Sequence, residues 1–510
     1  MEQIGSRASS QTSPPETLEA VKSTEGIQAG TALAMAKPPT AENPAIPSSE
    51  AKIVPLVPEK KGDEEAKSVE TETARGDWLE RSLAGFHTRP LPRGGEFALR
   101  RFAGKDIAAL VIAFAGGLGM EPKGKEGVEM LALALMARGP TRLGAGGMDS
   151  LLAEAGARLD VRPIGFDAAA IFVSGPRARI EPVLAALAEA IADPAFAAAG
   201  FDKRGFDSAQ RFVRVAERRE STDPEIRVSA QLRAEALPGH PYAAPRYGTS
   251  ESLSNLSLDD AIAYWNSSMG AERVRIAAVG DFEIDELSAP FSKALAEKGS
   301  RAPWAPRVVS LRLLPKTLAL PMDEEKTTVR ALFSAPERGR PEYAALAVGL
   351  VMIDDLVMEE LRNGSATSSA YSAYTRLSQA AAPSASLSIR GATSAAKAKS
   401  AFTRAAALVA EGECLGVSGI APIEAVIEGY KGRALGRIYA NGAKAIDIAE
   451  RVARDLAAGG DGSWYFRMAA RVAAAKPEDI SRIVRERIVE GASSWLASGA
   501  AGGLAGFASP

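Results

Sequence analysis

Residues 121–141 read EPKGKEGVEMLALALMARGPT, a charged, glycine-bearing loop running into a stretch, 127–137, whose only charge before Arg138 is Glu129. Leucine, methionine and alanine fill every face of that stretch, which predicts a helix buried nearly all round rather than an amphipathic surface helix. The Gly139-Pro140 pair then ends it. Such a helix needs a large core, and its flanks supply one. Residues 97–102 and 108–115 read as strands before it. The helical run itself covers 125–137, and after it come a helix over 148–155, strands over 158–161 and 168–174, helices over 179–192 and 201–220, and a closing strand over 274–279.

A similar order recurs downstream. Strands are predicted over 317–320 and 327–333, a long helix over 342–362, strands over 368–375 and 384–389, and alanine-rich helices across 394–487. Two runs of comparable length with one order predict an internally duplicated α+β protein. The boundaries are a disordered tail at 1–75, a first domain at 76–284, a linker at 285–306 and a second domain at 307–510. The tail is rich in Pro, Ser, Thr, Ala, Glu and Lys and short of the apolar side chains that repay ordering. The linker mixes proline, serine and both charges without clean periodicity.

Composition narrows the function. Of 510 residues, 46% are hydrophobic and 24% charged, and the formal charge of -2 gives no bulk attraction to nucleic acid or an anionic membrane. The single cysteine, Cys414, forms no intrachain disulfide and no thiolate metal cluster. The apolar run at 108–119 is too short for a membrane span. The first twenty residues lack a basic start followed by an apolar stretch, so a cytoplasmic location is expected.

Several short motifs fall in a telling series: Glu121-Pro122-Lys123-Gly124-Lys125-Glu126-Gly127, Gly139-Pro140-Thr141, Glu154-Ala155-Gly156-Ala157, Asp223-Pro224, Gly239-His240-Pro241-Tyr242, Gly248-Thr249-Ser250-Glu251-Ser252-Leu253 and Val279-Gly280-Asp281-Phe282. The second half adds Arg340-Pro341-Glu342-Tyr343, Leu356-Val357-Met358-Glu359-Glu360-Leu361-Arg362 and Lys476-Pro477-Glu478-Asp479-Ile480. Each alone is weak. As an ordered series they resemble the insulinase, pitrilysin and mitochondrial-processing-peptidase family of metallopeptidases. The resemblance implies two homologous α/β-sandwich domains per chain and a substrate chamber enclosed when two such chains pair.

Active relatives carry His-X-X-Glu-His on the helix of the opening stretch. Residues four apart share a helix face and supply two imidazoles to one zinc ion, while the glutamate activates the bound water. The matching positions here are Met130, Leu133 and Ala134, which neither bind zinc nor move a proton. The chain has two histidines, His87 and His240, too far apart for any register shift to restore the pair. The third-ligand position falls on Val215 or Ala216. Glu217, the nearest carboxylate, reads as a charge on a polar helix face. His240 precedes a proline and reads as a loop-shaping residue. Gly116, Gly117 and Gly119 lack the ending of a phosphate cradle and read as a turn. The chain is therefore expected to hold no cofactor, with zinc in a partner subunit.

In paired relatives the subunit without zinc ligands contributes an arginine and a tyrosine that hold the substrate backbone. Arg362 matches the arginine, whose rigid fork of donors suits a peptide carbonyl or carboxylate; a salt bridge to Asp354, Asp355 or Glu359 is the competing reading. The tyrosine position falls on Ser368 in one register and Tyr371 in another, with Tyr374 nearby; for both rings sheet packing is the competing reading. The Gly-rich loop that precedes this helix in many relatives is replaced by Val351-Met352-Ile353-Asp354-Asp355. Two classes of function follow: a substrate-holding, regulatory subunit of a heterodimeric zinc peptidase, or a peptidase-derived scaffold with no proteolytic role.

Overall fold

The structure is a computed structural model that describes residues 83–508 apart from 199, 200, 202, 299–310, 364–370, 392, 441 and 443. The expected tail, the last eight residues of the expected linker (299–306) and Ser368 lie outside the described residues.

Among the described residues thirteen strands form two large sheets and a small hairpin. The first sheet has the order β1-β2-β6-β3-β5-β4, with β1 at Phe86–Pro90, β2 at Glu96–Arg101, β3 at Ile107–Ala115, β4 at Arg158–Ile164, β5 at Ala168–Pro176 and β6 at Val274–Gly280. The second has the order β7-β13-β8-β10-β9, with β7 at Lys316–Pro321, β8 at Thr327–Ser334, β9 at Ser372–Leu377, β10 at Ser384–Gly391 and β13 at Ser493–Gly499. Strands β11 (Glu413–Gly416) and β12 (Gly419–Pro422) make the hairpin.

Without β1 the two orders coincide strand for strand. In each sheet the first pair is parallel, β2 with β6 and β7 with β13, and the remaining pairs are antiparallel. Both closing strands end on a glycine with positive φ, Gly280 at 154° and Gly499 at 142°. The internal duplication is thus visible in topology although the halves share little sequence.

The helices fill equivalent crossovers. Between β3 and β4 run α1 (Val128–Met136) and α2 (Gly147–Ala155); between β5 and β6 run α3 (Glu181–Ala192), α4 (Lys203–Thr222), α5 (Pro224–Ala236) and α6 (Leu258–Ser268). Helix α7 (Ile284–Lys298) follows β6. In the second half α8 (Pro341–Asn363) joins β8 to β9, and α9 (Ala395–Glu411), α10 (Ile423–Tyr439), α11 (Ala445–Ala457), α12 (Trp464–Ala473) and α13 (Pro477–Val484) lead to β13.

Strand β3 shows how the sheet is clothed. Leu110, Ile112 and Phe114 point to the face that packs on α1, whereas Ala109, Val111, Ala113 and Ala115 point to the other. That small-residue face receives α11, a helix of the opposite half, through Ile448, Ala449, Val452 and Leu456. The exchange is reciprocal: α5 of the first half lays Val228, Leu232 and Ala236 against Leu332 and Leu496 of the second sheet. Glu225 of α5 bonds Arg330 and Arg390 there, each at 3.1 Å. The described halves therefore form one body whose cores depend on each other.

Two sequence readings change. Residues 284–298, placed mostly in the linker, form α7, with Leu287, Phe291, Ala294 and Leu295 buried along one stripe. Pro290 inside the helix had masked that period. The run 351–355, taken to replace a loop ahead of a helix, lies mid-way in the continuous α8, with Val351, Met352, Ile353 and Asp354 buried. No helix among the described residues is long and apolar enough to cross a membrane.

Candidate functional site

Helix α1 is buried along its whole length, all nine of its residues included. It lies under β4 and β5 and is flanked by α4 and α6. At the metal-helix positions Met130 is 2%, Leu133 0% and Ala134 8% exposed. Burial of such side chains contributes about 1.5–3 kcal/mol each for the larger ones, so the helix now serves the core. The opposing helix α4 turns Gly205, Ala209 and Val213 inward, and at the third-ligand position Val215 is exposed and Ala216 half-buried. Glu217 is half-buried on the same helix. No group of three or more His, Cys, Asp or Glu side chains among the described residues is arranged to hold a metal ion. The donor set of the zinc site is missing at each position, so zinc does not fit there.

The one carboxylate of α1 is committed elsewhere. Arg273, 1% exposed, donates through Nη2 to Oε1 of Glu129, 2% exposed, at 2.6 Å. Its Nε and Nη1 donate to the carbonyls of Ala115 and Ser268. Burial pushes the Glu129 carboxyl up, against the downward pull of Arg273. Such a pair is strongly bound once formed, because removing either partner strands a charge in the core. Glu121 caps the helix from outside, accepting the amides of Gly127 at 3.0 Å and Glu129 at 3.1 Å. Burial and then the neighbouring Glu129 push the Glu121 carboxyl up to about 8.

The landmark motifs converge on the same frame. Ser252, in a capping box with Thr249, donates its hydroxyl to the Glu126 carbonyl at 2.8 Å and pins the lead-in to α1. A Cβ on Gly248 would lie 2.3 Å from that carbonyl oxygen, so the contact requires glycine. His240 accepts the Tyr242 amide on Nδ1 at 3.1 Å, a loop-shaping bond. Tyr242 then clasps the halves together: its hydroxyl donates to Asp167 and accepts the Ala382 amide at 3.2 Å, while Asp167 accepts the Ala381 amide at 2.9 Å. Gly117 belongs to a turn so close to Phe166 that a Cβ would meet its carbonyl oxygen at 2.3 Å.

In the second half Arg362 is exposed in the last turn of α8. Two of its suggested salt-bridge partners are engaged by α10 instead, Asp354 by Arg437 and Asp355 by Arg433. Asp354 also accepts the Thr375 amide at 2.9 Å, and burial pushes it up to about 6. Tyr371, Ala373 and Leu377 pack on the α8 side of the second sheet. Tyr374, one residue out of that alternation, stands on the other face, beneath the Arg376 guanidinium at 5.0 Å. The two tyrosines therefore cannot share one role, and Tyr371 is the one on the face of Arg362's helix.

Solved structures match this architecture along most of the chain. A peptidase M16 inactive domain from Pseudomonas fluorescens is similar at a TM-score of 0.67 and 17% identity, covering 81% of this chain and 98% of that one. The fold is that of the M16 peptidases. A protease from Helicobacter pylori is similar at 0.67 and 16% identity, covering 81% and 99% of the two chains. A chain of complex III from Candida albicans is similar at 0.67 and 14%, covering 81% and 95%. No family profile matches the sequence, and no curated protein does.

Proposed function

We propose that the chain is the non-catalytic, substrate-holding subunit of a heterodimeric zinc peptidase, pairing with a homologue that carries His-X-X-Glu-His and the zinc. The observation that carries this reading is α1: the M16 strand order repeats in both halves, while the helix matching the metal helix is buried apolar core. Exposed Arg362, with Asp354 and Asp355 taken by other arginines, supports a role in holding a peptide carbonyl or carboxylate. Tyr371 is the second candidate for that role.

The test is co-expression with a His-X-X-Glu-His homologue from a neighbouring gene, followed by a peptide-cleavage assay. The pair should cleave where neither chain alone does. Arg362→Ala should lower kcat/KM of the pair by about 10- to 100-fold, the worth of one charged hydrogen bond. A pair that assembles but cleaves nothing, or cleavage indifferent to Arg362→Ala, removes the substrate-holding role and leaves the scaffold reading.

A further inference from the structure

Helix α4 turns a row of arginines to solvent beside Phe212, the one exposed aromatic ring among the described residues. Gly205, Ala209 and Val213 pack inward, so the opposite side of the helix carries two rows. Arg211, Arg214 and Arg218 form the first, at steps of three and four residues, and Phe212, Val215 and Arg219 form the second at the same steps. All six are exposed, Phe212 at 41% and Val215 at 52%. Each row runs roughly 10 Å along the helix at about 1.5 Å per residue.

None of these four guanidiniums meets a carboxylate among the described residues. Glu220 is taken by Arg246, and Asp223 caps α5 on the Ile226 amide. Glu217 is half-buried on the flank, which leaves exposed Asp207 as the acid that shares this face. Four arginines against one aspartate make the face cationic in a chain whose formal charge is -2. Like charges three and four residues apart on a helix repel, so an anionic partner relieves that repulsion as well as forming ion pairs. Exposed ion pairs are individually weak, so contact with Phe212 and Val215 must supply part of the affinity.

We propose that this face of α4 binds an acidic amphipathic helix of a partner protein, whose apolar stripe lies on Phe212 and Val215 and whose carboxylates pair with Arg211, Arg214, Arg218 and Arg219. The planar guanidinium fork suits carboxylates, and the equal steps of the two rows match the stripe and flank of a second helix. A nucleic acid fits less well, since its extended phosphate backbone would meet Glu217, Glu220, Asp223 and Glu225 just past the patch. A membrane surface fits less well too, because two apolar side chains fall short of the continuous apolar face that an interfacial helix buries. The inference does not depend on a peptidase partner.

A fluorescein-labelled peptide of about three heptads of Leu-Glu-Glu-Leu-Glu-Ala-Glu tests it by fluorescence anisotropy against the full chain. Saturable binding that weakens with added salt is expected. It should fall at least tenfold when glutamine replaces glutamate in the peptide, with Phe212→Ser, and with Arg214→Glu and Arg218→Glu combined. Arg214→Gln with Arg218→Gln, which keeps polar side chains at both positions, should weaken it in the same sense, and thermal melts confirm that each variant folds. Absence of saturable binding, or binding unchanged by the arginine substitutions in a folded variant, overturns the proposal. So does tighter binding of a single-stranded oligonucleotide or of phosphatidylglycerol vesicles than of the peptide.

Discussion

Replacing Arg273 with methionine probes α1 as a structural helix. Methionine keeps an unbranched apolar stem and removes the guanidinium that bonds Glu129 and the carbonyls of Ala115 and Ser268. Glu129 is then buried without a counter-charge, and it escapes by taking up a proton. That caps the electrostatic loss at pH 7 at about 3 kcal/mol, roughly 2.5 pH units above the ordinary glutamate value at about 1.4 kcal/mol each. Two stranded carbonyls add about 1 kcal/mol each, for a loss of at most about 5 kcal/mol, the scale of a broken buried pair. In the variant the folded pKa of Glu129 stands above its unfolded one, so the penalty is absent at low pH and grows as pH rises. At pH 5 the loss should fall to about 2–3 kcal/mol. Urea denaturation followed by circular dichroism at both pH values measures it. A loss under about 1 kcal/mol at pH 7, or one that does not change with pH, refutes the reasoning.

Three further outcomes follow from the same geometry. Restoring the motif with Met130→His, Leu133→Glu and Ala134→His should cost several kcal/mol, since each group enters a packed core without a partner, and zinc titration should show no uptake. Tyr242→Phe removes the clasp on Asp167 and Ala382 and should destabilise the whole folded body by about 1–3 kcal/mol; separate melting of the halves would contradict the shared core. Glu121, pushed up to about 8, contributes stability below the ordinary glutamate range that is lost as pH rises through its folded value. Glu121→Gln keeps a capping oxygen, so urea midpoints between pH 5 and 8 should flatten in the variant.

Strand and helix positions were legible wherever period and length spoke clearly: β3, β5, α3 and α8 fall within a few residues of their sequence readings. Strand β13 escaped because Ser494, Trp495, Leu496, Ala497 and Ser498 are buried on both faces and carry no β-branched side chain, leaving no alternation and only Trp495 as a strand former. The exchange of α5 and α11 was invisible: α5 carries too weak a stripe to be read as a helix, and the stripe of α11 says that a helix is buried but not against which sheet. At the site, the loss of ligands was plain in the sequence, whereas the partner of Glu129 was not: Arg273 stands 144 positions away. A lone glutamate on an otherwise apolar helix was the signal that some buried cation must answer it. The parity of Tyr371 and Tyr374 was also readable, because residues three apart on a strand face opposite ways.

Zinc stoichiometry of the purified chain, by inductively coupled plasma mass spectrometry after equilibration with zinc and desalting, bears most directly on α1 as a converted metal helix. The buried Met130, Leu133 and Ala134 predict substoichiometric metal, under about a tenth of an ion per chain given the lack of any ligand trio among the described residues. One tightly held zinc per chain, removed by a chelator together with peptidase activity of the chain alone, would contradict it.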